Sequence, residues 1–157
     1  MAELPIIRKA GVEDIETLLR FEQGVISAER LFDSTLKDEM INYYDLHALI
    51  QSEEAELVVA EVEGKIIASG YAKILQSKPW LKHERHAHLG FMYVEPAYRG
   101  RGINAMIIDW LKKWAVSKGI DELRLEVYSG NISAIKAYEK VGFSSNLIEM
   151  RMSTKEF

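Results

Sequence analysis

The chain has 157 residues, 48% hydrophobic and 28% charged, with no cysteine and a formal net charge of −4. That length suits one domain with a real core, expected over residues 5–157. The absence of cysteine excludes disulfides, thiolate metal sites and a cysteine nucleophile and agrees with a cytoplasmic protein, while the acidic balance argues against nucleic acid as a partner.

No apolar run approaches the ~20 residues that cross a membrane, and Met1-Ala2-Glu3-Leu4-Pro5 does not read as a signal peptide. Ile6 to Ala10 reads as a strand closed by Gly11. Glu13, Asp14 and Glu16 favour the first turn of a helix, where negative charge meets the positive end of the dipole. Ile15, Leu18, Leu19 and Phe21 supply its apolar face, and Gly24 is expected to end it. A second helix is expected over Ser34 to Ile50, from the spacing of Leu36, Met40, Tyr43, Tyr44 and His47. Glu56 to Val62 and Lys65 to Leu75 read as paired strands about the tight-turn signal Glu63-Gly64, with Ile66, Ala68, Gly70, Ala72 and Ile74 on one side. Ser77 to Trp80 ends that pairing, and Arg85 to Val94 is the next strand. His86 and His88 share a face of it, near His83 and Glu84. With no cysteine or further spaced ligand, the cluster reads as a solvated strand end, and no metal is expected.

The most informative stretch follows. Val94-Glu95-Pro96-Ala97-Tyr98-Arg99-Gly100-Arg101-Gly102-Ile103-Asn104 is a basic, glycine-rich turn between that strand and a strongly periodic helix. Ile103, Met106, Ile107, Trp110, Leu111 and Trp114 mark one helix face, and Gly119 stands where its C-cap belongs. Free N–H groups at the helix start, forked donors from Arg99 and Arg101, and close approach at Gly100 and Gly102 point to a phosphate-bearing ligand. The turn lacks the Lys-Ser/Thr of a P-loop, and its Gly-x-Gly-x-x-Ala is only a lone partial match to a dinucleotide fingerprint.

Asp121 to Tyr128 alternates, with Leu123, Leu125 and Val127 facing one way and Arg124, Glu126 and Tyr128 the other. Asn131 or Ser133 caps a short helix from Ile132 to Val141, and Gly142 ends it. Phe143 opens the last strands, which include Leu147 to Met152. There is no repeat, low-complexity segment or linker.

Val94 to Gly102 resembles the acetyl-CoA signature of the GNAT family of N-acetyltransferases, often written Val-x-Pro-x-Tyr-Arg-Gly-x-Gly. Asn104 departs from it, since Gly or Ala usually stands there. A second motif, Asn131-x-x-Ala134-x-x-x-Tyr138-x-x-x-Gly142-Phe143, matches the same family. The resemblance implies an α/β (α+β) fold, with a mixed, mostly antiparallel sheet of about six or seven strands flanked by about four helices. It implies a splay between the strand ending near Val94 and the one starting near Leu123, which would admit the pantetheine arm. It also implies an acetyl-CoA-dependent acyltransferase acting on a primary amine, with no metal, no membrane and no nucleic acid; a homodimer is left open. The resemblance further assigns the cofactor to Met92, Tyr93, Val94, the turn Arg99, Gly100, Arg101, Gly102, Ile103 and Asn104, and to Asn131, Ala134 and Tyr138. Tyr138 is by resemblance the acid that protonates the leaving thiolate, and the alternative is a core tyrosine. Glu126 is the first choice of base, because Leu-x-Leu-Glu-Val with a later tyrosine resembles the ribosomal-protein N-terminal acetyltransferases; His88 and water are the other choices. Without a cysteine or a nucleophile-elbow serine, direct transfer in a ternary complex is expected rather than an acyl-enzyme. The alternative function is a non-catalytic acyl-CoA-binding or sensing module, suggested by Asn104.

Overall fold

The computed structural model describes residues 4–155. Met1 to Glu3, within the stretch read above for a signal peptide, and Glu156 and Phe157, the end of the expected domain, lie outside the described residues. The elements run β1 (Ile6–Lys9), a 3-10 turn (Val12–Asp14), α1 (Ile15–Arg30), α2 (Leu46–Gln51), β2 (Ala55–Val62), β3 (Lys65–Gln76) and β4 (Arg85–Val94). A 3-10 turn (Pro96–Tyr98), α3 (Ile103–Ser117), β5 (Leu123–Arg124) and α4 (Ile132–Lys140) complete the order. The sheet order is β1-β2-β3-β4-β5; neighbours through β4 pair antiparallel, and β4 and β5 pair parallel.

Strand alternation divides the core between the two faces of the sheet. Leu57, Val59 and Phe91 pack with Leu18 and Phe21 of α1 and Leu46 and Leu49 of α2. Val58, Ala60, Ala72, Ala87 and Leu89 pack on the opposite face with Ile103, Ile107, Ile108, Leu111 and Ala115 of α3. The α3 stripe is therefore turned slightly from the one expected: Trp110 stands at the rim, its Nε1 donating to Glu56 at 3.1 Å. Glu63 and Gly64 both take positive φ, the conformation of a two-residue hairpin turn. A register shift at Ala60/Glu61 separates the strand faces, so Ile66 joins the α1 side while Ala68 and Ala72 face α3, rather than all sharing one side.

Three further expectations are corrected. Helix α1 does not stop at Gly24 but continues to Arg30, because Gly24 is needed for packing: a Cβ there would meet the Tyr93 ring at 2.6 Å. The expected helix over Ser34 to Ile50 shrinks to Leu46–Gln51, capped by Asp45. Residues 31–45 are instead drawn onto α1 by side chains that compete with helix formation. Glu22 Oε2 accepts from the N–H groups of Tyr43 and Tyr44, both at 2.8 Å, and Gln23 donates to the Ile41 carbonyl at 2.9 Å. Arg30 donates to the carbonyls of Lys37 and Glu39. Finally, the sheet has five strands rather than six or seven, and Leu147 to Met152 is not a strand among the described residues. Among the described residues, the backbone of 147–152 has no pairing partner.

Candidate active site

The site begins with a fault in β4. Ser69 pairs with Tyr93 and Tyr71 with Gly90, so Phe91 and Met92 together oppose Gly70. This is a β-bulge, and Phe91 carries the strain of it at φ 57°. Its carbonyl is held by the buried Ser69 hydroxyl at 2.9 Å. The bulged strand bends away from β5. Only Ala87 with Leu123 and His88 with Arg124 remain in register, and beyond them the two parallel strands separate. The expected cleft is thus bounded by Leu89–Val94 on one side and Leu125–Tyr128 on the other. Glu95 N–H donates to the Ile67 carbonyl at 2.8 Å, toward β3. Backbone direction alternates along a strand, so the polar groups of Val94 turn to the opposite side, toward the cleft. The Val94 carbonyl there accepts from Arg99 Nε at 2.9 Å.

At the cleft's end lies the glycine turn. Gly100 and Gly102 both take φ 77°, a conformation that favours glycine, and a Cβ at either would meet nothing within 4 Å. Gly102 is the residue before α3, whose first turn presents N–H groups without helical acceptors. Arg99 lies 5.9 Å over the Tyr93 ring and Arg101 5.2 Å over the Tyr98 ring. These stacked contacts hold two cations beside an exposed run of amides. The residues present fit a pyrophosphate: open space, N–H donors and forked cations meet at one turn. Ile103 is buried and anchors the turn to the core; Asn104 is half-buried in the first turn of α3.

Helix α4 closes one side. Asn131 accepts from the Ala134 N–H at 3.2 Å and so caps the helix. At the other end Gly142 takes φ 114°, and Phe143 N–H returns to the Tyr138 carbonyl at 3.0 Å. That closure sets the Phe143 ring edge-on to Tyr138 at 6.0 Å. It explains the Tyr-x-x-x-Gly-Phe spacing physically: the cap residue makes the turn and the phenylalanine braces the tyrosine. Burial, and next the charge of Glu29, raise the Tyr138 phenol above its ordinary value, so it stays protonated at neutral pH.

Glu126 follows β5 in the chain, and the alternation of residues 123–126 sets it opposite Leu123 and Leu125, which pack toward α3 with Tyr138. Its side chain is exposed, and its charge reaches Tyr71 of β3 and raises that phenol after burial does. The Tyr71 ring covers Gly90, where a Cβ would meet its hydroxyl at 2.6 Å. Acid and base candidates therefore approach the cleft from opposite faces of the sheet. His88 stands in the paired part of the strands, level with Arg124 and before the splay. Two other histidines have neighbours of their own: His86 Nδ1 is 2.8 Å from the Ser77 hydroxyl, and His83 Nε2 is 2.7 Å from Arg124.

Several residues at this cleft escaped the sequence reading. Tyr44 stacks on Phe91 at 4.6 Å and meets Tyr71 edge-on at 5.7 Å. Burial, with the charges of Tyr71 and Glu29 behind it, pushes the Tyr44 phenol far up. Tyr128 stacks on Phe32 and donates to Asp33 at 3.0 Å; burial and that bond push its phenol up to about 12. Thr35 and then Arg151 hold the Asp33 carboxyl well below its usual range. Burial and Asp33 raise Glu29. Glu29 sits on α1, and Phe32, Asp33, Thr35 and Tyr44 sit on the 31–45 loop, whose path follows from the bonds to Glu22, Gln23 and Arg30 and from no local motif. A hollow of about 480 Å³ beside α1, lined by Ile15, Leu19, Tyr43, Tyr44 and His47 among others, shares those tyrosines with the acceptor side and contains none of the cofactor-motif residues.

A bulge-split parallel strand pair with an amide-lined glycine turn at its mouth defines an acyl-CoA-using transferase. Residues 19–143 match the family model described as the acetyltransferase (GNAT) family. The chain is 31% identical over 146 residues to the thialysine N-epsilon-acetyltransferase of Bos taurus, covering 87% of this chain and 82% of that protein. The Mus musculus protein of the same name is 38% identical over 145 residues, with the same coverage. Among solved structures, a mutant of the BH1408 protein from Bacillus halodurans superposes with a TM-score of 0.86 at 22% identity, covering 96% and 99% of the two chains. A predicted acetyltransferase from Clostridium acetobutylicum, solved with acetyl-CoA, superposes at 0.72 and 21% identity, covering 96% of each chain. The chain belongs to the GNAT family. It is an acetyl-CoA-dependent N-acetyltransferase.

Proposed function

We propose that this chain moves the acetyl group directly from acetyl-CoA to the primary amine of a small, cationic, lysine-like acceptor, with both substrates in the cleft at once. The observation that carries this reading is the separation of β4 from β5 beyond His88 and Arg124, with the glycine turn at one end and Tyr138 and Glu126 on opposite faces. When bound, acetyl-CoA supplies the thioester whose acyl carbon the amine attacks. Arg99 and the amides of Gly100, Arg101, Gly102, Ile103 and Asn104 would hold its pyrophosphate. Met92 and Val94 offer backbone N–H groups for the pantetheine arm and the carbonyl, beside Tyr93, and Asn131 and Ala134 border the same space. Tyr138 holds the proton destined for the departing sulfur, and Glu126 receives the proton of the amine, directly or through water. His88 is the second choice for that task. Holding two substrates in one geometry supplies much of the acceleration.

The acceptor side favours a cation. Tyr43, Tyr44, Tyr71 and Tyr128 gather there, with the carboxylates of Glu29, Asp33 and Glu126 acting on their phenols. Thialysine, named for two of the mammalian relatives, is the first compound to test. Initial rates with varied acetyl-CoA and amine are expected to give intersecting double-reciprocal plots, with no acetylated enzyme intermediate by mass spectrometry. Parallel plots, with an acetyl group that forms on the enzyme without amine and chases to amine at a competent rate, would overturn direct transfer. Tight CoA binding with no thiol release across a panel of amines would instead favour an acyl-CoA-binding module.

A further inference from the structure

Helix α1 reaches the base of the glycine turn by two contacts, and both start on one helix face. Arg20 and Gly24 are four residues apart and lie one above the other. The missing side chain at Gly24 lets the helix settle on the Tyr93 ring of β4, which also meets the Phe21 ring at 4.7 Å between centroids. One turn back, Arg20 Nη1 donates to Glu95 Oε1 at 2.9 Å. Glu95 is the first residue after β4, and its backbone is held from two directions. Its N–H donates to the Ile67 carbonyl, and its carbonyl accepts from the Tyr98 N–H.

This ion pair does little for the fold. The Arg20 side chain is 60% exposed, and water and salt screen such a pair. Its place is what distinguishes it. Glu95 stands four residues before Arg99 and two after Tyr93, the ring over which Arg99 lies at 5.9 Å. The residue adjoining Glu95, Val94, accepts from Arg99 Nε at 2.9 Å. A carboxylate and a guanidinium thus share one short loop. Among the described residues no ion pair joins them; Glu95 is paired with Arg20 instead.

We propose that Arg20 is a positioning residue for the cofactor: by holding the Glu95 carboxylate against α1, it keeps that carboxylate off Arg99 and leaves the Arg99 guanidinium to the pyrophosphate of acetyl-CoA. The physical reason is competition. Carboxylate and phosphate both match the fork of a guanidinium. A carboxylate tethered on the same loop competes at high effective concentration, as any linked ligand does. Arg20 removes that competitor from the turn. The inference rests on the assignment of the pyrophosphate to Arg99 and its turn, and not on the identity of the acceptor or on direct transfer.

Calorimetric Kd values for acetyl-CoA separate this role from a simple tie between α1 and β4. Arg20→Gln should raise Kd about three- to tenfold, while the thermal midpoint stays close to that of the wild type. Glu95→Gln removes the competing charge and should leave Kd at or below the wild-type value. The double variant Arg20→Gln/Glu95→Gln should return Kd to that of the wild type. A helix-to-strand tie is broken equally from either end. A Kd raised by Glu95→Gln, or one that stays raised in the double variant, would therefore overturn the proposal. Arg99→Gln tests the assignment beneath it: this variant should itself raise Kd and cancel any further effect of Arg20→Gln. If Arg99→Gln leaves Kd unchanged, Arg99 is not a pyrophosphate ligand and the proposal falls with that assignment. If Arg99→Gln raises Kd but Arg20→Gln does not, or if the two effects simply add, the proposal alone falls.

Discussion

Gly102→Val tests the cofactor turn, and a matched control separates strain from lost binding. Gly102 sits at φ 77° with nothing within 4 Å of a Cβ, so the substitution meets no steric clash in the free protein. The cost to folding is therefore backbone strain, about 1–2 kcal/mol for an L residue in the left-handed region. In a chain of this length that lowers Tm by about 2–8 °C. Gly64, at φ 78° in the β2–β3 hairpin, is equally open and belongs to neither cofactor motif. Gly64→Val should show the same thermal loss. The two variants part at the ligand. At position 102 the branched side chain fills the space open to a phosphate at the start of α3, and the Kd for acetyl-CoA by calorimetry should rise at least about tenfold, or about 1.4 kcal/mol. At position 64 it should not change. Equal Kd values for Gly102→Val and the wild type, with Tm lowered as expected, would refute the assignment of the pyrophosphate to this turn.

The remaining expectations concern neighbouring groups. Asn104→Gly should keep or improve acetyl-CoA affinity by calorimetry; a collapse would make Asn104 a direct ligand contact. Tyr138→Phe should lower kcat by about ten- to a thousandfold with little change in acetyl-CoA affinity. Because burial and Glu29 raise this phenol, the proton is retained as pH rises, and wild-type kcat should show no loss from its ionisation below about pH 10. Glu126→Gln should remove the lower-pH limb of the rate profile, and an unchanged profile would transfer the base role to His88 or water. Glu22→Ala would leave the Tyr43 and Tyr44 amides without their acceptor. It should cost about 2–4 kcal/mol in urea unfolding and raise the acceptor KM more than that of acetyl-CoA.

The local structure of the candidate cofactor turn was legible in the sequence because its determinants are local. Val94 to Asn104 encodes a turn, two left-handed residues and a helix start, and each follows from residue type at that position. The Tyr138-to-Phe143 spacing is likewise a helix closure contained within six residues. The hairpin at Glu63-Gly64 and the strand Arg85–Val94 were readable for the same reason. The acceptor half depends on tertiary structure. Nothing local says that Glu22 will take the amides of Tyr43 and Tyr44, since the residues lie 21 and 22 positions apart. Without that bond the helical spacing of residues 34–50 misleads. Gly24 reads as a helix stop until the Tyr93 ring, from another strand, is seen resting on it. The bulge at Phe91 and Met92 appears only when β4 is laid against β3, and it lies in the part of β4 that no longer pairs with β5. Leu147 to Met152 alternates as a strand would, but a strand needs an edge to pair with, and among the described residues this segment has none.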